Sequence, residues 1–116
     1  MKIEFDFDLT DETIVDILTD AVETHALSYP CWSTRDIKLN KDGWIISFVL
    51  VIRDEQGNKT QYFVNKDTIL SGVEKLFSKD FDVRKDILAS ILNDNIDAEG
   101  IDCIIQAGIF GKIIYG

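Results

Sequence analysis

Trp44-Ile45-Ile46-Ser47-Phe48-Val49-Leu50-Val51-Ile52-Arg53 is the stretch that decides how this chain folds. Its β-branched and aromatic side chains, set between two turn signals, read as one long strand. Side chains alternate across a strand, so Trp44, Ile46, Phe48, Leu50 and Ile52 are expected on one face. Ile45, Val49 and Val51 then share the other with Ser47 and Arg53. Both faces are apolar, which places the strand at the centre of a sheet. Helices are expected over one side, and a further helix or a second copy of the protein over the other.

The flanks extend the sheet. Asn40-Lys41-Asp42-Gly43 and Asp54-Glu55-Gln56-Gly57-Asn58 read as turns, with Gly43 and Gly57 supplying backbone freedom. They connect the long strand to Asp36–Leu39 on one side and Lys59–Val64 on the other. Near the N-terminus Ile3, Phe5 and Phe7 alternate with Lys2, Glu4, Asp6 and Asp8, the period of a half-buried strand. Thr10 then stands as the cap of a helix whose apolar stripe is Ile14, Val15, Ile17, Leu18, Ala21 and Val22, with Asp11 and Glu12 favourably placed in its first turn. Pro30 ends any continuation.

After the sheet, Asn65 caps a helix burying Ile69, Leu70, Val73, Leu76 and Phe77. A third helix runs from about Val83 to Asn93 with Ile87, Leu88, Ile91 and Leu92, and Asp97 caps a fourth that presents Ile101, Ile104, Ile105 and Gly108 and ends at Phe110-Gly111. Lys112 to Tyr115 reads as a short strand or a docked extension. The whole chain, residues 1–116, is thus expected to form a single α+β domain. Its antiparallel sheet has four to five strands, packed by the N-terminal helix and two to three C-terminal helices.

Charge narrows the functional classes. The formal net charge is −9, and it is uneven. Residues 1–34 carry eight carboxylates against Lys2, residues 35–85 hold ten basic and eight acidic side chains, and residues 86–116 hold five acidic against Lys112. Such a surface repels duplex nucleic acid, whose binding depends on Lys and Arg neutralising phosphate. It suits a mimic of a nucleic-acid backbone. No apolar run reaches the roughly 18 residues that a bilayer crossing needs, and Met1–Asp6 lacks the order of a signal peptide, so the expected location is the cytoplasm. Cys31 and Cys103 are expected as free thiols, with neither the spacing nor the allies for zinc.

The closing stretch from Asp97 to Gly116 keeps Asp97, Asp102, Gln106, Phe110, Gly111, Tyr115 and Gly116 at fixed intervals. In this it resembles the C-terminal signature of a family of small proteins encoded by phages and prophages, from which it departs at Ile101, Gly108, Ile109 and Lys112. That family carries no assigned reaction. The resemblance implies a phage accessory protein acting in an infected cell. The family's members also carry a Tyr-Trp pair after their first helix, preceded by glycines; Tyr29 and Trp32 stand there in this chain without the glycines.

Catalytic and cofactor motifs are missing from the sequence. Residues 95–106 resemble a calcium loop in spacing, but Asn95 stands at the first ligand position and Gln106 where a bidentate carboxylate is required. Gly108-Ile109-Phe110-Gly111 has the spacing of a KH loop without a basic residue inside it. No dinucleotide or P-loop fingerprint is present, and His25 is the sole imidazole. A non-enzymatic binding protein is therefore expected, without metal or cofactor, with a homodimer as its assembly. Two modes fit. In the first, Tyr29, Trp32 and Tyr115 stack a base and Arg35 and Lys112 meet phosphate, sequestering a nucleotide immune signal. In the second, Asp11, Glu12, Asp16 and Asp20 occupy a nucleic-acid-binding surface of a host defence protein, in the manner of an anti-CRISPR.

Overall fold

A computed structural model describes residues 9–23, 27, 29–78, 85–93 and 95–115. Along these residues run α1 (Asp11–Glu23), β1 (Trp32–Leu39), β2 (Ile45–Arg53), β3 (Lys59–Val64), α2 (Lys66–Leu76), α3 (Lys85–Leu92) and α4 (Ala98–Phe110). The sheet is antiparallel in the order β1-β2-β3, so the long apolar strand β2 is central. The expected α+β class holds. The expected first strand through Ile3, Phe5 and Phe7 lies outside the described residues.

Among the described residues the sheet has three strands; the four to five expected include the strand through Ile3, Phe5 and Phe7, which lies outside them. The tail from Lys112 to Tyr115 is a docked extension and not a strand, because the Ile114 and Tyr115 N–H groups are both taken by the side-chain oxygen of Gln106, each at 2.8 Å. The first sheet strand also begins at Trp32, four residues ahead of the expected Asp36, which puts Trp32 and Arg35 on the sheet rather than in a connection.

The alternation read along β2 breaks at one place. Pairing runs Arg35 to Val49, then Lys38 to Ser47, then Leu39 to Ile45, so one extra residue is inserted in β1 and one in β2. The β1 insertion lies at Asp36 and Ile37, and Asp36 takes φ 50, a left-handed conformation that Asp tolerates better than most residues. The β2 insertion lies at Ile46 and reverses the facing of everything before it. Ile45 is consequently 4% exposed and in the core, whereas Trp44 and Ile46, expected to face inward with Phe48, are 45% and 40% exposed. The Thr19 hydroxyl of α1 accepts from the Ile45 N–H at 3.0 Å, fixing this reversal in a buried setting.

Helices cover the face carrying Phe48, Leu50 and Ile52. Ile14, Ile17, Leu18 and Ala21 of α1, Ile69, Val73 and Leu76 of α2 and Ile101, Ile104 and Ile105 of α4 are buried in the core with it, and Ile87 and Ile91 of α3, which packs on α4, join the same cluster. Each such side chain contributes about 1.5–3 kcal/mol by leaving water. Leu70 and Leu92, expected on buried faces, are exposed instead. The caps fall where the sequence placed them. Asn65 and Thr68 form a reciprocal capping box on α2, the Asp97 side chain accepts from the Gly100 N–H on α4, and the Thr10 hydroxyl accepts from the Thr13 N–H on α1.

Helices α2 and α4 meet with no room for a side chain at the crossing. A Cβ on Gly72 would stand 2.0 Å from the Ile104 carbonyl oxygen, and one on Gly108 would stand 2.3 Å from that of Thr68. Gly108 thus serves helix packing rather than a nucleic-acid loop. Gly111, at φ 73, closes α4 in the left-handed conformation that only glycine adopts freely.

Candidate functional site

The stretch from Asp97 to Tyr115 folds into a clasp. Gln106, on α4 and 0% exposed, uses its carboxamide as a piece of backbone. Its oxygen accepts from Ile114 and Tyr115, and its nitrogen donates to the Tyr115 carbonyl at 2.8 Å and to Asp102 Oδ1 at 2.9 Å. The Tyr29 hydroxyl donates to Asp102 Oδ2 at 2.5 Å, tying the entry to β1 into the same network. Burial raises the Tyr29 hydroxyl pKa above its ordinary value of 10, and the bond to Asp102 adds to the effect. Burial likewise raises the Asp102 carboxyl above 3.8, partly offset by the hydrogen bonds from Tyr29 and Gln106.

Above the network lies an aromatic cluster. Tyr29 and Trp32 have ring centres 4.6 Å apart, Tyr115 lies 5.3 Å from Tyr29 and 5.0 Å from Trp32, and Phe110 joins at 6.4 Å from Trp32 and 6.1 Å from Tyr115. The structure therefore brings Tyr29, Trp32 and Tyr115 together, as the nucleotide reading requires. It brings them together against one another, however, with Trp32 only 8% exposed. The Trp32 indole N–H is buried without a hydrogen-bond partner among the described residues. Arg35 is exposed on β1, and Lys112 is exposed in the turn after α4.

The acidic candidates form a surface of their own. Asp11, Glu12, Asp16 and Asp20 are all exposed on α1. Glu12, Asp16 and Asp20 follow at intervals of four, which stacks them along one side of the helix about one turn apart. Asp11 Oδ1 is engaged by Lys66 Nζ at 2.7 Å, which raises the lysine pKa. Beside this stripe a cleft of about 530 Å³ is lined by Asp11, Glu12, Val15 and Asp16 from α1 and by Asn40, Asp42 and Trp44 from the first hairpin turn. Sequence reasoning missed Asp42 and Trp44 as part of this surface. Their signal lay in the Asn40–Gly43 turn, but only the reversal at Ile46 turns Trp44 outward.

Among the described residues no group of three or more His, Cys, Asp or Glu side chains is placed to hold a metal ion. Cys103 is buried and Cys31 half-buried, both as free thiols. His25, the sole imidazole, lies outside the described residues. No described helix is long and apolar enough to cross a membrane. Compared with protein-family models, curated proteins and solved structures, the chain matches none.

Proposed function

We propose that the chain is a phage accessory protein that counters host defence by binding, without catalysis, in the cytoplasm of the infected cell. Its working surface is the acidic side of α1, presented to a basic nucleic-acid-binding surface of a host defence protein. The observation that carries this reading is the exposed stripe of Glu12, Asp16 and Asp20 beside the cleft that holds Asp42 and Trp44. Like charges at intervals of four repel one another along a helix, by about 0.2–0.5 kcal/mol per pair. Carboxylates spaced a helical turn apart offer a basic channel a row of anions, and Trp44 offers a guanidinium an aromatic face. Phe63, 58% exposed on the far face of the sheet, gives the proposed homodimer an apolar contact.

Sequestration of a nucleotide between Tyr29, Trp32 and Tyr115 has less support, since each ring already packs on the others. The experiment that tests the proposal is competition between the chain and nucleic acid for purified host effectors with basic channels. The native chain should displace the nucleic acid, more weakly as salt rises. The variant E12Q/D16N/D20N should lose that displacement while remaining folded by circular dichroism. Equal displacement by the variant would refute the acidic surface.

A further inference from the structure

Opposite the helices, one end of the sheet gathers cations. The register pairs Val51 with Ser33 on one side and with Gln61 on the other, and pairs Arg53 with Lys59. Alternation by two then puts Ser33, Arg35, Val51, Arg53, Lys59 and Gln61 on a single face, away from Leu50 and Ile52. These six line a groove of about 310 Å³, within the range of about 300–1,000 Å³ that small-molecule sites occupy.

The electrostatics of the groove run against the rest of the chain. Three of these six side chains are basic in a protein with 21 carboxylates and 12 Lys and Arg. Arg53 and Lys59 stand directly opposite each other across the ladder, an arrangement that destabilises a sheet unless an anion neutralises it. Neither takes part in an ion pair among the described residues. The neighbouring Asp54 directs Oδ1 to the N–H groups of Gln56 and Asn58 inside its own turn. Arg35 is held in place by donating from Nη2 to Gln61 Oε1, with Asp36 Oδ2 3.8 Å from its Nε.

We propose that this groove binds the phosphate of a small organic phosphate. Arg53 and Lys59 clamp the phosphate from adjacent strands, Arg35 adds a second guanidinium, and Ser33 with the Gln61 amide nitrogen hydrogen-bonds the remainder of the ligand. The ligand is small rather than polymeric because a net charge of −9 repels a polyanion, whereas a single phosphate enters the local positive field. The site is separate from the acidic side of α1 and stands or falls without it.

Titration of the full chain with inorganic phosphate, pyrophosphate, AMP and sulfate at low salt, followed by calorimetry and amide NMR shifts, tests this. Pyrophosphate and AMP should bind saturably, with shifts confined to β1, β2 and β3. R53Q/K59Q should weaken both about tenfold or more, as expected for loss of two charge-assisted contacts, and its unliganded form should unfold no earlier than the native chain. E12Q/D16N/D20N should bind as the native chain does, which separates this site from the α1 surface. If the double variant fails to fold, K59Q alone carries the test, with about a threefold loss expected from one exposed cation. Absence of saturable binding at millimolar ligand, undiminished binding by the variants, or sulfate binding as tightly as pyrophosphate, an adventitious anion only, would each overturn the proposal.

Discussion

The clasp around Gln106 and the charged surfaces on α1 and the far face of the sheet are built from similar polar side chains, but the first is closed into the protein and the others are open to solvent. In the clasp the Gln106 carboxamide, the Asp102 carboxylate and the Tyr29 hydroxyl are engaged with one another and with the tail. On α1 a row of like charges faces water, and on the sheet two cations face each other across the ladder. Buried and partnered polar groups hold a fold together; exposed like charges leave a capacity that a ligand or partner can use. The contrast ties the Asp97–Tyr115 stretch to stability and leaves the charged faces as the proposed working surfaces.

Mutations sharpen that division in order of size. Gln106→Ala should have the largest effect, a loss of about 4 kcal/mol, because it strands the Ile114 and Tyr115 N–H groups and leaves a cavity beside them. Urea unfolding reads it, and a loss under about 1 kcal/mol would mean that the clasp does not hold the tail. Gly72→Ala should follow, at about 3 kcal/mol, since its Cβ meets the Ile104 carbonyl at 2.0 Å and backbone yields less than a side chain.

Tyr29→Phe should cost about 1–1.5 kcal/mol at neutral pH by removing the bond to Asp102. It should also change the response to alkali. The folded-state pKa of Tyr29 lies above its ordinary 10, so its contribution is complete below pH 10 and is lost as pH rises through the folded value. The native chain should therefore lose stability above pH 10 more steeply than Tyr29→Phe, and equal slopes would remove Tyr29 from the account. The smallest effect belongs to the far face. Lys59→Gln should raise stability at low salt by a few tenths of a kcal/mol, about what relief of a like-charge cross-strand pair contributes, and the gain should fade as salt is added.

Much of this fold was legible in the sequence because local chemistry dictates it. Asn65, Asp97 and Gly111 end their helices by hydrogen bonding and backbone freedom, which depend on neighbours in sequence. The central position of β2 followed from apolar residues on both faces. What escaped was set by distant contacts. The reversal at Ile46 exists because β1 inserts a residue at Asp36 and α1 offers Thr19 to Ile45, and no pattern within β2 reports either. For the same reason Trp44 was expected to face inward and Asp42 was not counted with the acidic surface. Tyr29, Trp32 and Tyr115 were grouped correctly, but whether grouped rings face a ligand or one another depends on how the tail docks, which rests on Gln106.

The most direct measurement is the plating efficiency of a phage carrying the gene on hosts with and without defence systems, comparing the native chain, E12Q/D16N/D20N and Tyr29→Phe. The account predicts that the native chain and Tyr29→Phe protect the phage on a defended host, and that the charge-neutralised variant gives a loss of about tenfold or more while folding normally, as expected where charge steers and secures the encounter. Full protection by the neutralised variant together with loss in Tyr29→Phe would contradict the account and return function to the clasp.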